Sequence, residues 1–317
     1  MRASFCDKYG NPDAILIKEL QKPVPKNNEI LIKVQAATVN RTDCGILNGT
    51  PWIIRFFTGL TKPKIKTTGT DFAGDIEATG DNVKAFKVGD RVMGLGAMGL
   101  GSHAEFIALP ESYPIISIPG KLSYEEAAAC LEGAFYAYET IRNLKPEAGQ
   151  TALVNGATGA ISSAAIQVLK YLDIKVTAVC AGEDSEIARS LGADRVIDYK
   201  TEDFTKDKEQ YDFVIDAVGK SSFSKCKRLL KKKGTYTTTD GLWNFVLAIF
   251  TPLFGGRKVV FKPPQNIKAG LLYIKAMIEK NKFIPLIDRK YPLEKIVEAF
   301  KYVETGQKKG NVIITMN

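Results

Sequence analysis

One stretch constrains the chain more than any other, Thr151 to Gly182, TALVNGATGAISSAAIQVLKYLDIKVTAVCAG. It opens with the apolar run Ala152-Leu153-Val154 and passes through a turn of small residues, Asn155-Gly156-Ala157-Thr158-Gly159-Ala160. From Ile161 to about Leu172, apolar residues recur at three- and four-residue steps, which predicts a helix. A second β-branched run, Val176-Thr177-Ala178-Val179, follows. Strand, turn, helix, strand is a βαβ unit. A turn so poor in side chains suits close backbone approach to a ligand. The free amides and dipole of the helix start favour an anion there, and a phosphate is the natural candidate. Gly156, Thr158, Gly159 and Ser162 form an imperfect copy of the dinucleotide fingerprint G-x-G-x-x-G, so a plain βα turn is the competing reading. The acid expected at the end of the second strand is absent, with Glu183 and Asp184 falling just past Cys180-Ala181-Gly182. No Lys or Arg stands there for a 2′-phosphate, which leaves NADH and NADPH both open.

At 317 residues the chain has room for two domains of ordinary size. Its five cysteines are scattered without a C-x-x-C pair, which argues against a disulfide framework or thiolate metal cluster and fits a reducing cytoplasm. No stretch reaches the ~18 apolar residues of a membrane span, and Met1–Phe5 shows no signal-peptide core. The formal charge of +9 suggests an anionic partner: a phosphorylated cofactor, an acidic membrane surface or nucleic acid. Apart from Lys231-Lys232-Lys233 and Lys308-Lys309 the lysines are dispersed, with no basic stripe interleaved with aromatics, so nucleic acid ranks last.

To about Pro119 the pattern is mostly β. Ile30 to Gln35, Gly69 to Ile76, Phe86 to Met93 and Gly101 to Ile107 read as short strands divided by Gly and Pro, as in a partly closed barrel. Ser123-Tyr124-Glu125-Glu126 has the form of a capping box, and a second helix is expected through Tyr138 to Asn143. Beyond Gly182, helices (Ser185 to Leu191, Phe223 to Lys231) alternate with strands (Val196-Ile197, Phe213 to Val218, Thr235 to Thr239), the rhythm of a parallel sheet covered on both faces. Leu242 to Phe254 is nearly all apolar. It is too short to cross a bilayer, and a buried helix or subunit contact is the first reading, ahead of a lipophilic substrate wall. A helix from Ala269 to Glu279, an extended Ile284 to Asp288, a helix from Leu293 to Thr305 and a strand from Gly310 to Ile314 complete the chain, and the tail is expected to return to the first domain.

The pieces Tyr9-Gly10-Asn11-Pro12, Ala37-Thr38-Val39-Asn40-Arg41-Thr42-Asp43, Gly69-Thr70-Asp71-Phe72-Ala73-Gly74, Val88-Gly89-Asp90-Arg91-Val92, Leu191-Gly192-Ala193-Asp194 and Lys309-Gly310-Asn311-Val312 flank the glycine turn in order. Together they resemble the medium-chain dehydrogenase/reductase superfamily in its zinc-free, quinone-oxidoreductase-like branch. The resemblance implies an α/β protein with a GroES-like, partly closed β-barrel catalytic domain from residues 1–120 and 266–317. A Rossmann doubly wound parallel sheet would occupy 121–265. It also implies NADPH, less often NADH, as cofactor and a homodimer or tetramer. Zinc-bearing members carry Cys-His where this chain has Asn40-Arg41, Gly-His-Glu where it has Gly69-Thr70-Asp71, and a Cys at about Glu132, so no catalytic zinc is expected. The single histidine, His103, reads as an ordinary strand residue.

The implied activity is hydride transfer from reduced nicotinamide to a quinone or α,β-unsaturated carbonyl, a small lipophilic electrophile that needs no Lewis acid. By the same resemblance, Gly156, Thr158, Gly159, Ala160 and Ile161 present amides to the diphosphate and Asn155 shapes the strand exit. Cys180, Ala181 and Gly182 flank the adenosine ribose, and Tyr199 lies at the adenine end. Val218 and Thr239 face the nicotinamide half, and Lys309 and Asn311 approach the cofactor. Asn40 lies near the nicotinamide, and Tyr136 stands where relatives have Thr. Asn40, Tyr136 and Tyr9 are the candidate donors to a developing oxyanion. Glu183 and Asp184 replace the cation that NADPH-using relatives carry, with Arg189 one turn away. The competing reading is a non-catalytic nucleotide-binding or membrane-associated protein that keeps the fold and uses Leu242 to Phe254 and Trp52 to Phe57 as contact surfaces.

Overall fold

A computed structural model describes residues 1–120, 122–239 and 242–316. The chain divides into two compact units, one of Met1–Glu132, Ile267–Glu279 and Pro285–Asn317, the other of Gly133–Asn266 and Lys280–Ile284.

The first unit is built on the long strand Glu29–Val39. Its first half pairs antiparallel with Phe106–Pro110, its last four residues with Asn311–Thr315, and its other edge with Asp71–Thr79. The sheet runs on through Arg91–Leu95 to Ile115–Ser117 on one side and from Asn311–Thr315 to Ile287–Pro292 on the other, seven strands in all. The tail thus returns to the first unit as expected. One strand with three partners bends the sheet around a core in which Ile30, Ile32, Phe72, Ile76, Phe300 and Ile314 are wholly or almost wholly shielded. Burying each such side chain is worth about 1.5–3 kcal/mol. Ser123 caps the Tyr124–Ala129 helix as its sequence predicts: its Oγ accepts from Glu126 N at 3.2 Å and its own N–H donates to Glu126 Oε2 at 2.8 Å.

The second unit holds six parallel strands in the order Arg195–Asp198, Lys175–Cys180, Thr151–Asn155, Tyr211–Asp216, Leu230–Thr238, Lys258–Val259. This is the doubly wound order, and its direction reverses between Thr151–Asn155 and Tyr211–Asp216. The Ala160–Tyr171 helix lies on the sheet through a face of small residues, with Ala164, Ala165, Ile166, Val168 and Leu169 buried.

Local pattern misplaced three elements. His103 lies in a bend before the Phe106–Pro110 strand rather than within a strand, because Gly101 takes a positive φ of 76° and breaks the extended run. The helix expected over Phe223 to Lys231 stops at Cys226, continues as a short 3-10 turn to Leu229, and gives way to strand. Parallel pairing of Tyr211 with Leu230 captures the start of the basic run. Leu242–Phe250 is a helix, followed by the 3-10 turn Thr251–Phe254, but it is not buried: Leu247 and Ala248 touch the core and most of its apolar side chains face outward. Among the described residues no helix is long and apolar enough to cross a membrane.

Candidate active site

In the second unit the glycine turn sits at the carboxyl end of the sheet, where the strand order reverses. Gly156 N and Ala157 N both donate to Val179 O, at 3.0 and 2.9 Å, which ties the turn to the neighbouring strand. Gly156 has φ +78°, and a Cβ built on it would lie 1.9 Å from Val218 Cγ2. The turn therefore tolerates no side chain there on two counts, backbone and space. Gly159 is the N-cap of the Ala160–Tyr171 helix, and no side chain caps it. The amides of the first turn are thus left without a side-chain cap, which is the arrangement that suits an anion.

The loop against Gly156 is held by a residue that sequence reasoning missed. Asp216, wholly buried, ends its strand beside Asn155. Its carboxylate accepts from Asn155 Nδ2 (3.0 Å), Val218 N (3.2 Å), Gly219 N (3.2 Å), Ser221 N (2.9 Å) and Tyr236 Oη (3.2 Å). Five donors onto one carboxylate lock the loop that carries Val218. The only sequence signal was a charged residue inside an otherwise apolar strand.

At the end of the Lys175–Cys180 strand, Tyr199 N donates to Cys180 O at 3.1 Å and the tyrosine is 56% exposed. Asp198 pairs in register with Cys180, and its Oδ2 lies 2.5 Å from where a Cβ of Gly182 would be. An acid of the next strand thus lies beside the end of the second one. Glu183 does not stand alone, since Lys200 Nζ contacts both of its carboxylate oxygens at 2.7 and 2.9 Å. Asp184 is buried. The expected repulsion of a 2′-phosphate is therefore weakened at Glu183, which is ion-paired. Thr239 N donates to Asp216 O at 3.3 Å. Tyr136 is half-buried, tilted on Phe135 with ring centroids 5.5 Å apart.

In the first unit, Asn40 begins the Arg41–Asn48 helix and is 5% exposed. Its Nδ2 donates to Thr38 Oγ1 at 2.5 Å, and that hydroxyl donates to Asp71 Oδ2 at 2.5 Å. Asn40 N donates to Asp43 Oδ2 at 2.8 Å. Thr70 Oγ1 donates to Glu132 Oε2 at 3.2 Å. Asp43, Asp71 and Glu132 are all buried. Burial raises the pKa of each, and the charge of Glu132 adds to the rise at both aspartates. Lys308 is the cation facing this group. Burial pulls it down to about 8 against the opposing pull of Glu132 and Asp288. Its Nζ donates to Gly310 O at 2.7 Å.

Other expected site residues in this unit have local work. Tyr9 Oη lies 2.5 Å from Gly59 O and 2.8 Å from Thr58 Oγ1, beneath the Arg55 guanidinium. Asn311 Nδ2 donates to Ala129 O and Leu286 O, and Lys309 N to Asp288 Oδ2. His103 is buried and pulled down to about 4 by that burial. Its Nε2 is 2.9 Å from Thr38 O and its Nδ1 2.7 Å from Thr68 Oγ1, a neutral ring with Nε2–H donating.

Two family models match the chain, the alcohol dehydrogenase GroES-like domain over residues 26–120 and the zinc-binding dehydrogenase over 191–314. The 2-methylene-furan-3-one reductase of Solanum lycopersicum is 32% identical across 99% of this chain and 79% of its own length. The quinone oxidoreductase of Homo sapiens is 30% identical across 96% of this chain and 94% of its own. The solved quinone oxidoreductase of Coxiella burnetii superposes with a TM-score of 0.86 at 24% identity, covering 100% of this chain and 99% of that one. The chain belongs to the quinone-oxidoreductase-like branch of the medium-chain dehydrogenase/reductase superfamily.

Membership sharpens the acid cluster. By the resemblance, Asn40 and Thr70 stand where zinc-bearing members of the superfamily place ligands, and the third ligand falls at about Glu132. Thr70 hydrogen-bonds Glu132, and the Asn40 side chain helps hold down the pKa that burial raises at that carboxyl. An amide, a hydroxyl and a carboxylate at these positions do not suit a zinc ion, which takes thiolate, imidazole and carboxylate donors. Among the described residues no three His, Cys, Asp or Glu side chains are grouped to hold a metal. The dinucleotide fits by contrast: glycine at the one place where a Cβ would strike Val218, and an uncapped helix start beyond it.

Proposed function

We propose that the chain is a zinc-independent, NAD(P)H-dependent oxidoreductase that passes a hydride to a quinone or an α,β-unsaturated carbonyl. The observation that carries this is the glycine turn at the switch point of the doubly wound sheet, packed against a Val218 loop that Asp216 pins. Bound coenzyme supplies the hydride from C4 of its nicotinamide. Gly156, Thr158, Gly159, Ala160 and Ile161 hold the diphosphate by their amides, and Asn155 sets the strand exit. Cys180, Ala181, Gly182 and Tyr199 serve the adenosine end, and Val218 and Thr239 position the nicotinamide half. On the first unit, the chain Asn40–Thr38–Asp71 orients the Asn40 amide toward a substrate oxygen, with Lys309 and Asn311 on the cofactor's flank; Tyr136, on the second unit, is a further donor, while the one hydroxyl proton of Tyr9 is committed to Gly59 O.

NADPH is the preferred coenzyme in this reading. Lys200, half-exposed beside Tyr199, exchanges Glu183 for a 2′-phosphate. The substrate is small, lipophilic and electron-poor, and the protein acts as a cytoplasmic homodimer. Oxidation of NADPH and NADH against a panel of quinones and enals tests the activity; tight coenzyme binding without turnover of any acceptor would refute it. Lys200→Ala should weaken NADPH and leave NADH unchanged, while equal or tighter NADH binding by the parent protein overturns the coenzyme preference.

A further inference from the structure

The Leu242–Phe250 helix and the Thr251–Phe254 turn have no part in the proposed chemistry. Their inner side, Leu247 and Ala248, rests on the core of the second unit. Outward face Trp243 (69% exposed), Val246, Ile249, Phe250, Leu253 (75%) and Phe254 (83%). The positions 243, 246, 250 and 253 follow helical spacing, so they form one apolar band rather than scattered residues. A band of this kind on a soluble surface marks a site of contact.

The charge along this part of the sequence is as uneven as the hydrophobicity. Residues 217–266 hold ten Lys and Arg and one acid, Asp240, while in the rest of the chain basic and acidic residues balance at 34 each. The entire net charge of +9 is therefore carried by the fifty-residue segment that contains the apolar band. Of the ten cations, only Lys231 is in an ion pair among the described residues. Lys227, Lys232 and Arg257 line the same surface hollow as Phe254.

We propose that this face docks on an anionic phospholipid bilayer, with the aromatic and aliphatic side chains entering the interface and the surrounding lysines meeting headgroup phosphates. A bilayer surface presents the two chemistries side by side, acyl chains beneath phosphates. A second copy of the chain meets the band poorly, because a two-fold contact would set one +9 segment against another. Nucleic acid matches the cations but leaves Val246, Ile249 and Leu253 with nothing to bury against. The inference stands on this surface alone and is independent of the coenzyme chemistry.

The test uses the full chain with Trp52→Phe, which leaves Trp243 as the only tryptophan. Vesicles of phosphatidylcholine alone are compared with vesicles containing about one-third phosphatidylserine, at low salt and at about 0.5 M salt. Co-sedimentation is expected with the anionic vesicles at low salt, with a blue shift of Trp243 emission and quenching by bromine carried on the acyl chains. Lys232→Ala with Lys233→Ala should lower the partition coefficient about thirtyfold. Leu253→Ser with Phe254→Ser should abolish the quenching while helix content and coenzyme binding hold. Absence of binding to anionic vesicles overturns the proposal, as does binding without Trp243 quenching. Equal binding to phosphatidylcholine removes the role of the lysines and overturns it too. Self-association lost in the Ser variants assigns the face to a second copy, and tighter binding to duplex DNA than to vesicles assigns it to nucleic acid; either result overturns it.

Discussion

Gly156→Ala is the sharpest perturbation of the proposed coenzyme site. The new Cβ meets two separate penalties. The first is conformational: Gly156 has φ +78°, and a left-handed backbone costs an L-residue about 1–2 kcal/mol. The second is steric, the 1.9 Å approach to Val218 Cγ2. Relief would require the 217–221 loop to retreat, yet the Asp216 carboxylate holds Val218 N, Gly219 N and Ser221 N. Overpacking against so fixed a neighbour costs about 1–3 kcal/mol. Together the terms give roughly 3 kcal/mol; the free protein sheds this strain by displacing the turn, and restoring the turn on binding raises the coenzyme dissociation constant by up to about 150-fold. Quenching of protein fluorescence on titration with NADPH and NADH measures it. Adding Val218→Ala separates the terms, because the nearest remaining atom, Val218 Cβ, lies 3.4 Å away in ordinary contact. The double variant should recover the steric share, about tenfold or more, and retain the backbone share. Parent-like affinity in Gly156→Ala would refute the reasoning, and so would a double variant no better than the single.

Asp216→Ala strands up to five donors around a buried site, and a loss of about 3–5 kcal/mol in unfolding free energy by urea titration is expected. Asp43→Asn removes a charge from the buried cluster and keeps an acceptor for Asn40 N, since Asp43 Oδ1 has no partner among the described residues. The raised pKa values of Asp43, Asp71 and Glu132 mean that the native state binds more protons than the unfolded chain above about pH 4, so stability falls as pH rises from there. Melting curves of Asp43→Asn should be higher at neutral pH and flatter across that range. His103, the single histidine, has its pKa depressed to about 4, so the unfolded chain binds the extra proton between about pH 6.5 and 4 and stability falls as pH drops through that window. Its one set of imidazole NMR resonances should show no titration down to about pH 5, with the proton on Nε2; a midpoint near 6.5 would contradict the buried, neutral ring.

The sequence by itself determined the order of elements and the place of the nucleotide turn. These signals are local: apolar spacing declares a helix or a strand within a dozen residues, and glycine at 156 and 159 declares a turn that keeps side chains out. It also led to the expectation of no zinc site, through residue types at three short motifs. Tertiary structure alone decided the rest. Asp43, Asp71, Glu132 and Lys308 come from four separate stretches of the chain, and only folding brings them together where burial moves their pKa values. Asp198 comes to lie beside Cys180 of the neighbouring strand through register, and Lys200 comes to pair with Glu183 by proximity. The apolar run Leu242 to Phe254 carried no statement about its covering, because hydrophobicity is a property of the residues and exposure a property of what packs against them.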